Sequence, residues 1–479
     1  MSELVAQFFL SCAFPLITPL RPTAVVRSDC PYTQRHLDSI FARRASFWRV
    51  LPPAAPLPAI AAALLVWDEY EAIDWGAVMS PPYRLVSSFC IRKGLCRKAN
   101  LAEAVAAYAA RHPASPLAAA APATVVIDTY GAFHARPGWL DLRSALAEAL
   151  CEAEAAIEAA GAGAAWVLKP SLTNKGAGIA LLHGVAELGA AVRAEPDVGQ
   201  WVLQRYVAPP LLLRGHKFHV RLYVAAVGAL RVFVFREALL LLAPEPFTED
   251  LGAVGAHVTN TCVGAASPRF SEEAHVRCLS ELPELLGGDA AAAAAAAAEL
   301  FASMCRVTAH AFVAQEGRVA GFMPLPCGWE LYGVDFLVDA GMRPWLLEFN
   351  PSPDIKQSGA RLDGVIGTML EGLVQLAVDR RVQRVVPPGG DAGGGGCVLL
   401  QPDANAPGVE VDAVIPAGCG GVVEALPAWR PGCSGAPLPA SAAVVSPPQL
   451  EAGAWDPSGW DLVYEKHWPG AHAMSVRVQ

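Results

Sequence analysis

The chain has 479 residues, 53% of them hydrophobic, and a formal net charge of -9 from 36 basic and 45 acidic residues. This length allows two or three domains, and the acidic balance argues against a molecule-wide nucleic-acid-binding surface. Twelve cysteines are scattered without metal-ligand spacing, which indicates free thiols in a reducing, cytoplasmic compartment. The most hydrophobic stretches contain basic residues, so we expect no membrane span.

The first third of the chain combines helical and strand patterns. Helical spacing from Pro31 to Phe41 precedes an apolar strand or short helix at 61–67. A basic segment occupies 91–98. Asn100 then begins a predicted helix, with Glu103 placed as in a capping box.

Strand patterns dominate the middle of the chain, after a helix predicted from Asp141 to Ala160. The predicted strands are 165–169, 178–182, 201–207, 217–227 and 230–242. A long helix is predicted from Asp289 to Val313. After about residue 385 the chain becomes rich in Gly, Pro and Ala, which indicates a linker and a partly disordered extension.

Two neighbouring features are typical of an anion site. Lys169 ends an apolar strand, and the next loop contains Lys175, Gly176 and Gly178, whose backbone could approach a phosphate. Each has a simpler explanation: a lysine at a strand end commonly extends to solvent, and a K-G-x-G sequence is commonly a hairpin turn.

Polar groups also line the next strands. Gln204, Arg205, Tyr206 and Val207 end a strand, whose backbone groups beside apolar side chains suit an adenine ring. A polar loop farther along contains His257, Thr259 and Asn260, which could position a substrate or a phosphate; a histidine there is often structural.

A row of basic side chains lies on one predicted strand. Lys217, His219 and Arg221 alternate with apolar residues and therefore share one face. Like charges in a row repel, so the pattern favours an anionic ligand. The alternative is a basic sheet face exposed to solvent. Arg236, on the neighbouring strand, can add a guanidinium to that face.

The segment from Gly333 to Asn350 is typical of a β-hairpin that binds a metal. Alternation places Glu348 and Asn350 on one strand face, where they can meet Asp335 on the partner strand. Two carboxylates and an amide oxygen form a site suited to Mg²⁺. An ordinary hairpin with polar residues facing water is the alternative, but the apolar neighbours of these acids weaken it.

The order of these features resembles the ATP-grasp superfamily and, more closely, the tubulin–tyrosine ligase-like family. That order is lysine strand, glycine loop, Q-x-Y strand end, basic strand, arginine, H-x-T-N loop, and D followed by E-x-N. The similarity covers about residues 60 to 380. It implies an α/β (α+β) ATP-grasp fold, with the nucleotide between two mixed α/β lobes.

The resemblance implies four regions. They are an N-terminal α/β domain at 15–85, a central ATP-grasp lobe at 86–207, a C-terminal lobe with the magnesium site at 208–385, and the extension at 386–479.

The resemblance also assigns roles. ATP phosphates would contact Lys169 and Lys217 beneath the Lys175–Gly178 loop, and adenine would lie against the 204–207 strand end. Mg²⁺ would be held by Asp335, Glu348 and Asn350. The acyl phosphate or the amino acid would be oriented by Arg221 and Arg236, with His257, Thr259 and Asn260 nearby.

The implied reaction is ATP- and Mg²⁺-dependent ligation of tyrosine, glutamate or glycine to a protein carboxylate, with tubulin as the expected partner and no nucleic acid or membrane involved. The alternatives are another acceptor, or an inactive scaffold of the same fold. A cytoplasmic, cytoskeleton-associated location would fit.

The sequence departs from the family pattern at two places. His219 stands where the animal tyrosine ligases have an acid, and the residues after Asn350 also differ. An acidic tubulin tail would need a basic docking surface, for which the candidates are Arg92, Lys93, Arg97 and Lys98; a solvated face or contact with ATP are the alternatives.

Overall fold

The computed structural model describes residues 21–80, 84–129, 142–161, 163–173, 177–259, 267–356, 359–386, 397–400, 443–445 and 459–465. The N-terminal part is a small parallel sheet with short helices. Its elements are β1 (Thr23–Val26), α1 (Pro31–Ala42), β2 (Arg49–Val50), α2 (Leu57–Ala61), β3 (Leu65–Trp67), α3 (Trp75–Val78) and β4 (Leu85–Val86). The strand order is β2-β1-β3-β4.

The second sheet is antiparallel and covered by helices. Its region contains α4 (Lys93–Cys96), α5 (Lys98–Arg111), α6 (Pro116–Ala119), β5 (Thr124–Asp128), α7 (Leu142–Ala159), β6 (Trp166–Pro170), β7 (Ala180–Leu182), α8 (Val185–Ala194) and β8 (Gln200–Arg205). The order is β5-β8-β6-β7. Trp166, Leu168, Trp201 and Leu203 are buried in its core because alternate residues of β6 and β8 face the helices.

The third sheet is the largest and is built around one long strand. Its region contains β9 (Leu212–Leu213), β10 (His216–Val227), β11 (Arg231–Phe235), β12 (Leu239–Leu242), α9 (Val254–His257), α10 (Glu272–His275), β13 (Val276–Cys278), α11 (Leu282–Leu286), α12 (Ala290–Val313), β14 (Trp329–Val338), β15 (Pro344–Pro351) and α13 (Ala360–Ala377). On one edge β10 pairs with β14, and on the other with β12 and then β11.

The chain after α13 adds four strands. They are β16 (Val382–Val386), β17 (Cys397–Leu400), β18 (Ala443–Val445) and β19 (Trp460–Glu465). The first three form a separate sheet, while β19 pairs with β11 at the edge of the large sheet.

The large sheet is buried on both faces, because side chains of β10 alternate between two cores. Phe218, Val220 and Leu222 pack into the core that contains the C-terminal half of α12. Tyr223, Ala225 and Val227 pack on the other face into the core that contains α13. On this second face, Lys217, His219 and Arg221 extend beyond the apolar core, at the end of the strand that borders the second sheet.

Several sequence predictions change at their boundaries. The helix predicted from Asn100 begins at Lys98, and its N-cap, Arg97, makes no side-chain cap hydrogen bond, so the predicted capping box was wrong. The strand predicted at 230–242 is two strands, β11 and β12, each paired with β10.

Among the described residues, one helix, α12, is long and apolar enough to cross a membrane by length and composition, which the sequence analysis did not expect. Its C-terminal half packs instead against the large sheet, where Leu300, Met304 and Phe312 are almost completely buried. This is the environment of a core helix. Its start is capped by Asp289, whose side chain accepts from the Ala292 amide.

A buried ion-pair cluster connects the N-terminal part to the C-terminal helix. Arg44 follows α1 and is 1% exposed. Its Nη2 lies 2.5 Å from Glu371 Oε1 on α13 and 2.7 Å from Asp379 Oδ2, and its Nε donates to the same Asp379 carboxylate. The residues that this cluster joins are more than 300 positions apart in the chain.

We expect Arg44→Met to lower the free energy of unfolding by about 3–5 kcal/mol, because the partly buried Asp379 loses its cation and the buried Glu371 keeps only its contact with Arg43. Urea unfolding followed by circular dichroism measures this. Arg49→Met, at an exposed position of β2, is the matched control and should change stability by less than about 0.5 kcal/mol. Equal stabilities of the two variants would contradict the role assigned to the cluster.

Candidate active site

A cavity of about 100 Å³ lies between the second sheet and the large sheet. Strands β6, β7 and β8 form one wall, while β10 and the β14–β15 hairpin form the other. Many of the predicted site residues that the structure describes line it; these are Lys169, Gln204, Arg205, Tyr206, Val207, Lys217, His257, Thr259, Asp335 and Glu348. The structure therefore brings together residues from sequence segments that are far apart.

The predicted hairpin holds the two acids side by side. Strands β14 and β15 are antiparallel, with Asp335 opposite Glu348 and Gly333 opposite Asn350. The Asn350 amide nitrogen donates to Asp335 Oδ2 at 3.1 Å and to Glu348 Oε1 at 3.2 Å. The amide must turn over for its oxygen to face the same point as the carboxylates, which is a simple rotation of a terminal group.

Two cations neutralise these acids. Arg221 forms a bidentate pair with Asp335, in which Nε donates to Oδ1 and Nη2 donates to Oδ2 at 2.9 Å. The Lys98 ammonium lies 3.1 Å from Glu348 Oε2. Burial alone would raise the pKa of Glu348, but Lys98 and Lys169 outweigh it and lower the pKa to about 2.

The path of Arg221 depends on a glycine in the neighbouring strand. Gly333 of β14 lies opposite Tyr223 of β10. A Cβ at this glycine would come within 2.8 Å of Arg221 Cδ. Only glycine therefore lets the arginine side chain cross the sheet to Asp335 without moving.

Two lysines face the cavity from opposite walls. Lys169 Nζ donates to Gln204 Oε1 at 2.8 Å, and Lys217 Nζ donates to the Tyr206 hydroxyl at 2.8 Å. Burial lowers the pKa of Lys169 to about 8. Burial, with repulsion from Lys169, lowers the pKa of Lys217 to about 7. Ammonium groups held this way favour a multiply charged anion, which would replace the water they have lost.

The histidines of the site differ in how well they are hydrogen-bonded. His257 has partners for both ring nitrogens, the Tyr206 hydroxyl at 2.8 Å and the Asp250 carbonyl at 2.9 Å. His219 is 4% exposed, and its Nδ1 lies 2.6 Å from Thr259 Oγ1. Burial lowers the pKa of His219 to about 4.

The remaining predicted residues fall into three groups. Gly178 has a φ of +72°, and a Cβ there would lie 2.8 Å from Pro170, so the loop requires this glycine. The Arg205 guanidinium lies over the Trp166 ring, 5.6 Å from its centroid. Lys175, Gly176 and Asn260 lie outside the described residues.

Arg236 does not line the cavity, and the expectation that it shares a face with Arg221 was wrong. It follows β11 at the turn towards β12, and its Nη2 lies 2.7 Å from Asp461 Oδ1 of β19. The turn separates it from the regular alternation of β11, so spacing along the strand did not indicate its direction.

Only part of the basic segment at 91–98 is available as the predicted docking surface. Arg92 pairs with the buried Glu330 and lies over the Tyr70 ring, 3.8 Å from its centroid. Lys98 lines the cavity. Lys93 and Arg97 are exposed, so the docking prediction now rests on these two residues.

Sequence reasoning gave Lys98 no definite place in the site, although it holds Glu348. A lysine at the start of a helix carries no signal for a partner 250 residues away. The apolar lining residues Ile179, Leu337 and Leu347 were also missed. Their alternation in the strands could have indicated them.

The sequence model of the Tubulin-tyrosine ligase family matches residues 129–387, more than half of the chain. The chain belongs to the tubulin-tyrosine ligase family. The match contains the lysine strand, the basic strand and the complete β14–β15 hairpin, so both walls of the cavity lie within it. Lys98 precedes it.

Curated relatives agree with this assignment. A probable tubulin–tyrosine ligase of Schizosaccharomyces pombe is 29% identical over 353 residues, covering 65% of this chain and 82% of the relative. The probable tubulin–tyrosine ligase PBY1 of Saccharomyces cerevisiae is 27% identical over 360 residues, covering 65% of this chain and 45% of the relative. The chain therefore spans less than half of the second relative.

Among solved structures, the chain is similar to the C-terminal domain of K. lactis Pby1, described as an ATP-grasp enzyme that interacts with the mRNA decapping enzyme Dcp2. The TM-score is 0.56 at 26% identity, covering 76% of this chain and 94% of that domain. The predicted ATP-grasp fold is confirmed. This fold in general implies the use of ATP and a divalent cation.

The donor groups of the site fit such a cation, since two carboxylates and an amide oxygen share one hairpin face. Among the described residues, however, no group of three His, Cys, Asp or Glu side chains is arranged to hold a metal ion. Arg221 and Lys98 hold the two carboxylates in this arrangement, and both would have to move when a cation binds.

We expect the affinity for ATP to fall as the pH rises between about 6 and 9, by up to about tenfold per pH unit for one lysine. Lys217, with its lowered pKa, must take up a proton to pair with a phosphate, so binding and protonation are linked. Isothermal titration calorimetry in buffers of different ionisation enthalpy measures the proton uptake. Lys217→Arg, which stays charged, should reduce it, and binding without proton uptake in the wild type would contradict the prediction.

Proposed function

We propose that this chain is an ATP- and Mg²⁺-dependent ligase that joins an amino acid to a carboxylate of a protein, with tubulin as the acceptor. The observation that carries the proposal is the cavity in which Lys169 and Lys217 face the Asp335–Glu348 hairpin, with Arg221 paired to Asp335. Cations for phosphates and oxygen ligands for a hard metal ion thus lie within one site.

The reaction requires activation of the acceptor carboxylate, because a carboxylate is a poor acyl donor. A carboxylate oxygen of the acceptor attacks the γ-phosphorus of ATP, and ADP leaves. The amine of the amino acid then attacks the acyl carbon, phosphate leaves, and the amine proton passes to solvent. In the first step negative charge passes from the carboxylate to the leaving oxygen of ADP. In the second step it builds on the acyl oxygen and then on the leaving phosphate, so positioning and charge neutralisation supply most of the catalysis.

Each residue has a part in this scheme. Lys169 and Lys217 neutralise the phosphates, and Gln204 with the strand end at Tyr206 and Val207 holds the adenine. Arg221 orients the acyl phosphate. Asp335, Glu348 and Asn350 hold Mg²⁺, which when bound supplies positive charge beside the phosphate oxygens.

The names of the relatives in S. pombe and S. cerevisiae support tubulin as the acceptor. The tail of tubulin is acidic, and the exposed Lys93 and Arg97 would attract it. Tyrosine, glutamate and glycine all remain candidates for the amino acid. A tubulin ligase would work in the cytoplasm.

A second candidate follows from the K. lactis neighbour, whose interaction is with an mRNA decapping enzyme. The acceptor would then be another protein, or the fold would act as a binding module without turnover. The retained Asp335, Glu348, Lys169 and Lys217 favour an enzyme over an inactive module, because a site released from catalysis has no need of paired acids and buried lysines.

We expect Glu348→Gln to reduce ligase turnover at least about 100-fold while leaving the fold intact, because it removes one negative ligand of the cation. Purified protein, Mg²⁺-ATP and tubulin are offered labelled tyrosine, glutamate and glycine separately, and incorporation is counted. Glu103→Gln, on an exposed face of α5, is the matched control and should keep wild-type turnover.

The same assay separates the alternatives. Incorporation with decapping proteins but not with tubulin would replace the acceptor. ATP binding without incorporation into either would support the binding module. Wild-type turnover by Glu348→Gln would contradict the assignment of the metal ligands.

A further inference from the structure

His219 has a buried ring nitrogen without a hydrogen-bond partner. The side chain lines the cavity and is 4% exposed. Within the described residues, Nε2 makes no hydrogen bond. It lies 3.9 Å from Asp335 Oδ2, which is too far for a hydrogen bond.

A buried polar atom without a hydrogen-bond partner destabilises a folded protein. The neighbouring residues on the same face, Lys217 and Arg221, both have polar partners. The orphaned nitrogen therefore indicates a ligand that enters the cavity.

The other ring nitrogen prepares Nε2 for such a ligand. Nδ1 lies 2.6 Å from Thr259 Oγ1. When Nδ1–H donates to this hydroxyl, the lone pair is on Nε2. Histidines that bind metals have this arrangement, in which a partner on the second nitrogen sets the tautomer and the ring orientation.

The distance to Asp335 suits a shared cation. Two atoms bound to one ion at about 2.1 Å each can be at most about 4.2 Å apart. Nε2 and Asp335 Oδ2, at 3.9 Å, satisfy this limit without movement of β10 or β14. Arg221 must release Asp335, and Lys98 must release Glu348, which phosphates in the cavity would favour by offering both cations another anion.

We propose that His219 Nε2 is a ligand of the divalent cation, together with Asp335 and Glu348, and that this site therefore prefers Mn²⁺ to Mg²⁺. The inference rests on the proposed function, since it concerns the cation of the same site. An imidazole nitrogen suits first-row transition metals, whereas Mg²⁺ prefers oxygen ligands.

The experiment uses the full chain with Mn²⁺ and a β,γ-methylene analogue of ATP, which has no nitrogen in its phosphate chain. Pulsed electron paramagnetic resonance detects a ¹⁴N nucleus bonded to Mn²⁺. We expect this coupling in the wild type, its replacement by a ¹⁵N coupling after labelling with ¹⁵N-imidazole histidine, and its loss in His219→Asp.

Competition between the two metals gives a second measurement. The ratio of the Mg²⁺ and Mn²⁺ dissociation constants should fall about tenfold in His219→Asp. The control is His183→Asp, the same charge change at an exposed histidine after β7, which should keep both the coupling and the ratio.

Each outcome of these measurements either supports or overturns the inference. Mn²⁺ and nucleotide binding without a ¹⁴N coupling in the wild type would overturn the inference and leave the proposed function standing; His219 would then contact a phosphate or the amino acid. No binding of Mn²⁺ with nucleotide would contradict the proposed function and, with it, this inference. The labelled wild type keeps the test valid even where His219→Asp fails to fold.

Discussion

The antiparallel pairing of β10 with β14 is the constraint on which the rest of the site depends. Its register sets Arg221 opposite Asp335, and the pairing of β14 with β15 sets Asp335 opposite Glu348. A slip of one residue would turn these side chains to the other face. Val220 and Leu222, buried on that other face, prevent the slip because it would bring charged groups into their core.

Charge balance is the second constraint, because the cavity is largely withheld from water. More cations than carboxylates line it, and they lie on both walls; the cations are Lys98, Lys169, Arg205 and Lys217. Arg221 pairs with the lining Asp335. Burial lowers the pKa of Lys169 and of Lys217, because their charged forms have lost water. A polyphosphate with its cation would restore the balance, so the electrostatics and the ATP-grasp fold point to the same ligand.

The parts of the site that follow from local pattern were predicted well. The hairpin with Asp335, Glu348 and Asn350 and the shared face of Lys217, His219 and Arg221 depend only on alternation along a strand, and the structure has both. Predictions of side-chain direction and of element boundaries outside regular strands were less accurate. Arg236 lies at a turn between two strands and pairs with β19, and Asn100 does not begin its helix because the turn before it is already helical.

The sequence by itself determined which residues can carry the chemistry and on which strand face they lie, because side-chain alternation is a property of a few neighbouring residues. It also determined the family, through the order of the motifs. Only the tertiary structure decided their partners: that Lys98 contacts Glu348, that Arg92 pairs with the buried Glu330, and that one nitrogen of His219 has no hydrogen-bond partner among the residues that the structure describes. Such contacts join segments tens to hundreds of residues apart, and their geometry follows from how the sheets pack rather than from any spacing along the chain.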